Sequence, residues 1–309
     1  MKKVGVIFFL LISAVTLAQQ SEQYSQYSFN NFGYNPAFLG TIKCIDLRAG
    51  YRMQWVGFEG APVSKFGSVQ YPFKKKYYKN RNTHAVGLYI SEDEAHLTTR
   101  TMIKLSYAFA MRLSSKYTLS AGVFAGIQQY NTNLKGFENS TDPVLAAIDG
   151  DELRYPDIMP GVLLYNKSIY WSFSINQLYF KKINLGQEQT QVNQYYFGSG
   201  HKSLHGDWVM FKSFLLKWNV MAPPAIDLNV AWRYRKKVSF GLGYRIGDAA
   251  IANLKFNLGA IKIGYAFDYP LNKMSGNYGH EIMLGFNRCG NSGEGAGGPE
   301  KPYVCPAYN

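Results

Sequence analysis

Charge, cysteine and long apolar runs are all scarce in this 309-residue chain. Beyond residue 18 no apolar stretch approaches the roughly 20 residues that a transmembrane helix requires, so the mature chain does not cross a bilayer as helices. Charged residues make up only 17%, and they form no DNA- or RNA-binding motif, which sets nucleic acid aside as a partner. Metal-ligand patterns are missing too. His201 and His205 in SGHKSLHGD stand four apart, a chelating spacing only on a helix, and the segment reads as a loop. His280-Glu281 lacks the second histidine of a zinc protease. Asp149, Asp151 and Glu152 lack the spacing of an EF-hand and read as a solvated loop. No nucleophile elbow surrounds a serine. Nothing here marks an enzyme, a cofactor site or a metal site.

What is present begins with an export signal. Lys2 and Lys3 precede an apolar run from Val4 to Val15, and Thr16-Leu17-Ala18 gives a small-residue exit. This is the pattern of a secretory signal peptide over residues 1–18, cleaved after Ala18. No cysteine follows the run, which argues against a lipoprotein. Cleavage removes two lysines and no acids, lowering the net charge from +13 to +11. Such an excess predicts an anionic neighbour, for example a lipid headgroup, lipopolysaccharide or an acidic protein.

Tyr contributes 24 residues, Phe 20 and Trp 5, and many of them recur at every second position. In AIDLNVAWRYR, Ile226, Leu228, Val230, Trp232 and Tyr234 alternate with Asp227, Asn229, Ala231, Arg233 and Arg235. VSFGLGYRIG repeats the scheme at 238–247, as do residues 101–113, 169–177, 261–269 and 280–288. Period-two alternation places one set of side chains on each sheet face. The second face is small, Gly-rich and sparsely charged, unlike the richly charged exterior of a soluble sandwich. The fold class expected is therefore all-β, a transmembrane antiparallel outer-membrane barrel with a lipid-facing apolar band and a polar interior.

Counting from Ile45 gives about 14 strands in one domain over residues 19–288. Tight turns are expected at 114–116, 166–168, 235–237 and around Gly259, on the periplasmic side with both chain ends. Longer outer loops are expected at 91–100, 131–157, 178–191, 220–225 and 270–279. Residues 74–82 and the region around 200–207 read as long where the scheme wants short turns. The run Lys74, Lys75, Lys76, Lys79 and Arg81 is the densest charge cluster. It suits lipid phosphates or an acidic periplasmic partner, and equally a solvated turn.

The segments that fit the alternation least carry a family signature. QYSQYSFNNFGYNPAFLG (23–40), RMQWVGFEGAPVSKFGSVQYP (52–72), GYAFDYP (264–270) and HEIMLGFNR (280–288) occur in this order. That series closely resembles the PorP/SprF family of outer-membrane proteins of Bacteroidota, associated with type IX secretion and gliding motility. The resemblance implies a barrel that receives, anchors or helps export large surface proteins bearing a type IX C-terminal signal domain, alongside other components of that system.

Irregular backbone survives in a barrel only where it is shielded from lipid, so residues 23–40 and 52–62 are expected to form a plug or an outer lip. Tyr, Trp and Arg frequently anchor protein partners, which makes Tyr51, Arg52, Trp55, Phe58 and Glu59 candidates for a docking surface. The competing expectation is that they fill the lumen, with Arg52 paired to a luminal acid. Past the last strand, Cys289 and Cys305 bracket a Gly-rich tail (289–309), a spacing that allows a disulfide and leaves Cys44 unpaired. The tail reads as a small periplasmic contact element or a disordered end. Two functions from different classes follow: a non-enzymatic anchor for secreted surface proteins, or a transport barrel for fatty-acid-type or small solutes.

Overall fold

The computed structural model describes residues 22–42, 44–73, 82–132, 153–178, 182–184, 188–190, 192–272, 276–288 and 305–308. The leader, the basic run at 74–81, the acidic stretch at 149–152 and Cys289 lie outside these residues. Fourteen strands close a single antiparallel barrel. They are β1 (Ile45–Met53), β2 (Val63–Phe73), β3 (Thr83–Ala95), β4 (Thr98–Arg112), β5 (Thr118–Thr132), β6 (Leu153–Tyr165) and β7 (Ile169–Asn176) in the first half. A short hairpin, β8 (Lys182–Asn184) with β9 (Glu188–Thr190), forms a separate two-stranded sheet. The barrel resumes with β10 (Gln194–His205), β11 (Trp208–Asn219), β12 (Ala222–Tyr234), β13 (Val238–Arg245), β14 (Ala249–Leu258), β15 (Ile261–Pro270) and β16 (Gly279–Arg288). Barrel strands pair with their sequence neighbours, β7 pairs with β10, and β16 closes onto β1 from Ile45↔Arg288 to Met53↔His280.

Alternation decides which face meets which solvent. Ile103, Leu105 and Tyr107 point outward while Lys104, Ser106 and Ala108 are buried; Phe240, Leu242 and Tyr244 point outward while Ser239 and Arg245 are buried. Leu105 is 67% and Leu242 59% exposed. An apolar exterior of this extent is a liability in water and the expected wall in lipid. Aromatic clusters stand at both rims, as in membrane girdles. At one end Trp208 lies 4.9 Å from Tyr234 and Trp232 stacks on Phe240 at 5.2 Å. At the other, Tyr195 meets Trp218 at 5.4 Å and Tyr269 meets Tyr278 at 5.8 Å.

Loop lengths orient the barrel. Connections at the end that holds the start of β1 are 113–117, 166–168, 206–207, 235–237 and 259–260, with 74–82 the single long one. The opposite end carries the long connections 54–62, 133–152, 177–193 and 271–278 beside short ones at 96–97, 220–221 and 246–248. Short turns mark the periplasmic end of such barrels. Arg235 (φ 45°) and Lys236 (φ 59°) both adopt the left-handed conformation of a tight hairpin turn.

Three regions expected to be long are two-residue turns. Residues 91–100, 200–207 and 220–225 close at 96–97, 206–207 and 220–221. Sequence alternation fades there because the hairpins continue past the apolar band into water, where outward faces become polar. Exposed Lys65 and Glu92, across β2 and β3, form such a pair at 2.7 Å. In β12 the pairing with β11 skips Pro223 and Pro224, which have no N–H to donate, through a register shift at Lys217/Asn219.

Candidate functional site in the plugged lumen and its outer rim

Residues 22–42 lie inside the barrel, running from the outer half at Glu22 to the periplasmic end at Phe38 and Leu39. Their aromatic side chains make the luminal core: Tyr24, Tyr27, Phe29, Phe32, Tyr34 and Phe38 are all buried. Tyr24 packs edge-on against Phe66 at 5.0 Å, and Phe32 against Phe124 at 4.8 Å. A helical turn at Asn31–Tyr34 leads to a 3-10 turn at Pro36–Phe38, and Asn35 joins the two. Its Oδ1 accepts from the Ala37 N–H at 2.8 Å, while its Nδ2 donates to the carbonyls of Val162 and Phe173 at 3.0 Å each. One side chain thus caps the turn and welds it to β6 and β7. The wall makes room with glycine: a Cβ on Gly161 would sit 2.1 Å from Asn35 Oδ1, and one on Gly122 would sit 2.7 Å from the Pro36 backbone.

In the outer half the plug meets a network of buried charges. The carboxylate of Glu281 accepts from the Ser25 and Gln26 N–H groups at 2.7 and 2.8 Å. Ser25 Oγ donates to Asp268 at 2.5 Å. Arg52 donates to the Gln23 carbonyl and pairs with Asp268 at 2.6 Å and Glu281 at 3.8 Å. Arg245 pairs with Asp227 at 2.7 Å and Asp248 at 3.1 Å, and Lys217 with Asp227 at 2.7 Å. Across the lumen Lys104 pairs with Asp157 at 2.5 Å, and Ser91 donates to Glu22 at 2.9 Å. Buried charges are costly unless matched, and here Arg52, Arg245, Lys217 and Lys104 each face an acid. The arrangement fixes a segment in place.

The two irregular segments have different fates. Residues 23–40 are the plug, whereas 54–62 form a lip at the outer rim. That lip is held by its own hydrogen bonds: Gln54 N–H to Pro62 O at 2.9 Å, Phe58 N–H to Trp55 O at 3.0 Å, and Val56 N–H to Tyr278 O at 2.9 Å. Trp55 (φ 48°) and Gly60 (φ 72°) take the left-handed turns it needs. Among the docking candidates, Tyr51 faces the lipid side, Phe58 is 55% exposed, Glu59 is exposed, and Trp55 is half-buried. Arg52 is 2% exposed and does not join them; it is the luminal clamp on the plug. Trp55 also borders an outer vestibule of about 490 Å³ with Tyr196, Lys217, Trp218 and Arg245.

The cysteines pair otherwise than their spacing implied. Cys44 is disulfide-bonded and Cys305 is a buried free thiol, so the Cys289–Cys305 bridge is not formed. The physical reason is placement: Cys44 immediately precedes Ile45 at the seam where β1 meets β16, whereas Cys305 is buried in an apolar cluster inside the barrel. Pro306–Tyr308 forms a short turn, and Cys305 and Ala307 cluster with Phe38, Leu163, Tyr165 and Tyr170 beneath the plug. Burial pushes the Cys305 thiol up to about 12, holding it protonated. Alkylation without reductant is expected to modify one cysteine per chain, at Cys305, and only after unfolding; modification of two or more would contradict this pairing.

His201 and His205 lie within β10 rather than in a loop, spaced along one extended strand, where they cannot share a metal ion. His280 faces outward and meets the Tyr265 hydroxyl at 2.8 Å. Asp268 and Glu281, in the GYAFDYP and HEIMLGFNR segments, had no role readable from sequence; they hold the plug.

A closed 14-strand barrel with an apolar exterior, aromatic girdles and an N-terminal plug is an integral outer-membrane protein whose lumen holds its own N-terminal segment. The sequence profile described as "Type IX secretion system membrane protein PorP/SprF" matches residues 16–286, and the chain belongs to that family. Curated proteins provide no match. Among solved structures, the toluene transporter TbuX of Ralstonia pickettii is similar at 11% identity and a TM-score of 0.52, covering 84% of this chain and 93% of that one. The CymD monoaromatic hydrocarbon channel is similar at 11% identity and 0.50, covering 85% and 92%. At such identities the likeness concerns the fold alone.

Proposed function

We propose that the protein is a non-enzymatic outer-membrane anchor, exported by a cleaved signal peptide over residues 1–18. Its outer rim binds a large secreted surface protein bearing a type IX C-terminal signal domain, alongside other components of that system. The observation that carries this reading is the division between a filled lumen and a preorganised lip. Residues 22–42 are pinned by buried charge-assisted bonds, while the 54–62 lip presents Val56 and Phe58 at 44% and 55% exposure. A rigid loop with exposed apolar side chains loses little entropy on docking.

The second reading, transport of a fatty-acid-type or small solute, draws on the outer vestibule and on neighbours described as a transporter and a channel. Two substitutions separate them, because Trp55 borders the vestibule and Phe58 does not. Under the anchor reading both Trp55→Ala and Phe58→Ala weaken cargo retention, each by about 2 kcal/mol or roughly thirtyfold, with the barrel intact. Display is read by surface labelling of cargo, and partners by affinity capture of this protein from native outer membranes with mass spectrometry. Normal display in both folded variants overturns the anchor reading; solute uptake lost only with Trp55→Ala favours transport.

A further inference from the structure

In the periplasmic half of the lumen, among the described residues, three of four clustered cations stand without an acid partner. A cavity of about 90 Å³ is bordered by Arg48, Arg233, Lys255 and Lys262 from the wall, Ser28 from the plug and Ala307 from the C-terminal segment. Arg48 is neutralised by Asp46 at 2.9 Å and donates to the Phe29 carbonyl. Lys255 donates to Ser28 Oγ at 2.9 Å and lies 5.6 Å from the Phe29 ring. Among the described residues no carboxylate lies within ion-pair distance of Arg233, Lys255 or Lys262. The Nε of Arg233 is buried with no hydrogen-bond partner. Four cations against one acid leave three positive charges around a space that holds about three waters. Like charges crowded in a partly dehydrated site are costly, and the site reads as prepared for an anion.

We propose that this cavity is a binding site for a phosphate-class oxyanion, held by Arg233, Lys255 and Lys262. The ion joins the plug at Ser28 to the wall of β12, β14 and β15, and so holds this stretch of the plug in the periplasmic half as the Glu281–Asp268 cluster holds Ser25 and Gln26 in the outer half. The site also gives a place to the excess positive charge of the sequence. It stands apart from the outer rim, so its fate is independent of what the rim holds.

The test is calorimetric titration of the full-length protein in zwitterionic detergent with inorganic phosphate and, separately, glycerol 3-phosphate as a headgroup stand-in. Ionic strength is held constant with chloride. The expected result is saturable one-to-one binding and a thermal midpoint that rises with occupancy. Tighter binding of phosphate identifies a free ion, and tighter binding of the ester identifies a lipid headgroup. Lys255→Met with Lys262→Met is expected to weaken binding at least tenfold. Lys262→Gln alone carries the test if the double variant does not fold, and Lys65→Gln on the exposed outer hairpin leaves binding unchanged. Absence of saturable binding of both anions, or unchanged affinity in a folded Lys262 variant, overturns the proposal.

Discussion

Replacing Arg52 by Met is expected to destabilise the protein by about 3–5 kcal/mol, because removing one partner of a buried pair leaves the other charge uncompensated. Arg52 is 2% exposed and faces both Asp268 and Glu281. Arg245 stands 3.9 Å from Asp268, too far to take over both carboxylates. The loss should appear first in the plug: the Ser25 and Gln26 N–H groups that donate to Glu281 should exchange with deuterium far faster, while strand amides at mid-barrel keep their protection. Pairing Arg52→Met with Glu281→Gln removes one charge of each sign and should recover part of the loss. Unchanged exchange at Ser25 and Gln26 in the single variant would show that the charge network does not hold the plug.

Cys44→Ser should have the next largest effect, a loss of about 2–5 kcal/mol, typical of removing a native disulfide. The bond sits beside the seam where β1 meets β16, one residue beyond the Ile45↔Arg288 pair. Reductant should lower the thermal midpoint of the native protein by the same amount and leave the variant unaffected. A variant that still responds to reductant would contradict the assignment.

The strand count was legible because lipid on one side and a polar lumen on the other write themselves into alternate residues. Where hairpins leave the bilayer that writing stops, which is why 91–100, 200–207 and 220–225 read as loops. The role of Arg52 was available from parity: it shares a face with Asp46, Arg48 and Gly50, while Tyr51 takes the other. Grouping Tyr51, Arg52, Trp55, Phe58 and Glu59 as one docking surface hid that Tyr51 and Arg52 point to opposite sides. The expected Cys289–Cys305 bridge failed because proximity in sequence was taken for proximity in space, although Cys305 is buried among Phe38, Leu163 and Tyr170. The partners of Arg52 were not legible at all. Asp268 and Glu281 lie more than 200 positions away, and only the closure of β16 onto β1, with β15 paired to β16, brings them to it. The luminal glycines were visible as a small face, but their purpose, seating Asn35 and Pro36, required the plug to be in place.

Voltage-clamp recording of the native protein in planar lipid bilayers tests most directly that residues 22–42 occlude the lumen and leave function to the outer rim. The native protein should be silent, and a variant lacking residues 22–42 should conduct steadily. A stable ohmic conductance from the native protein, unchanged by that deletion, would contradict the account.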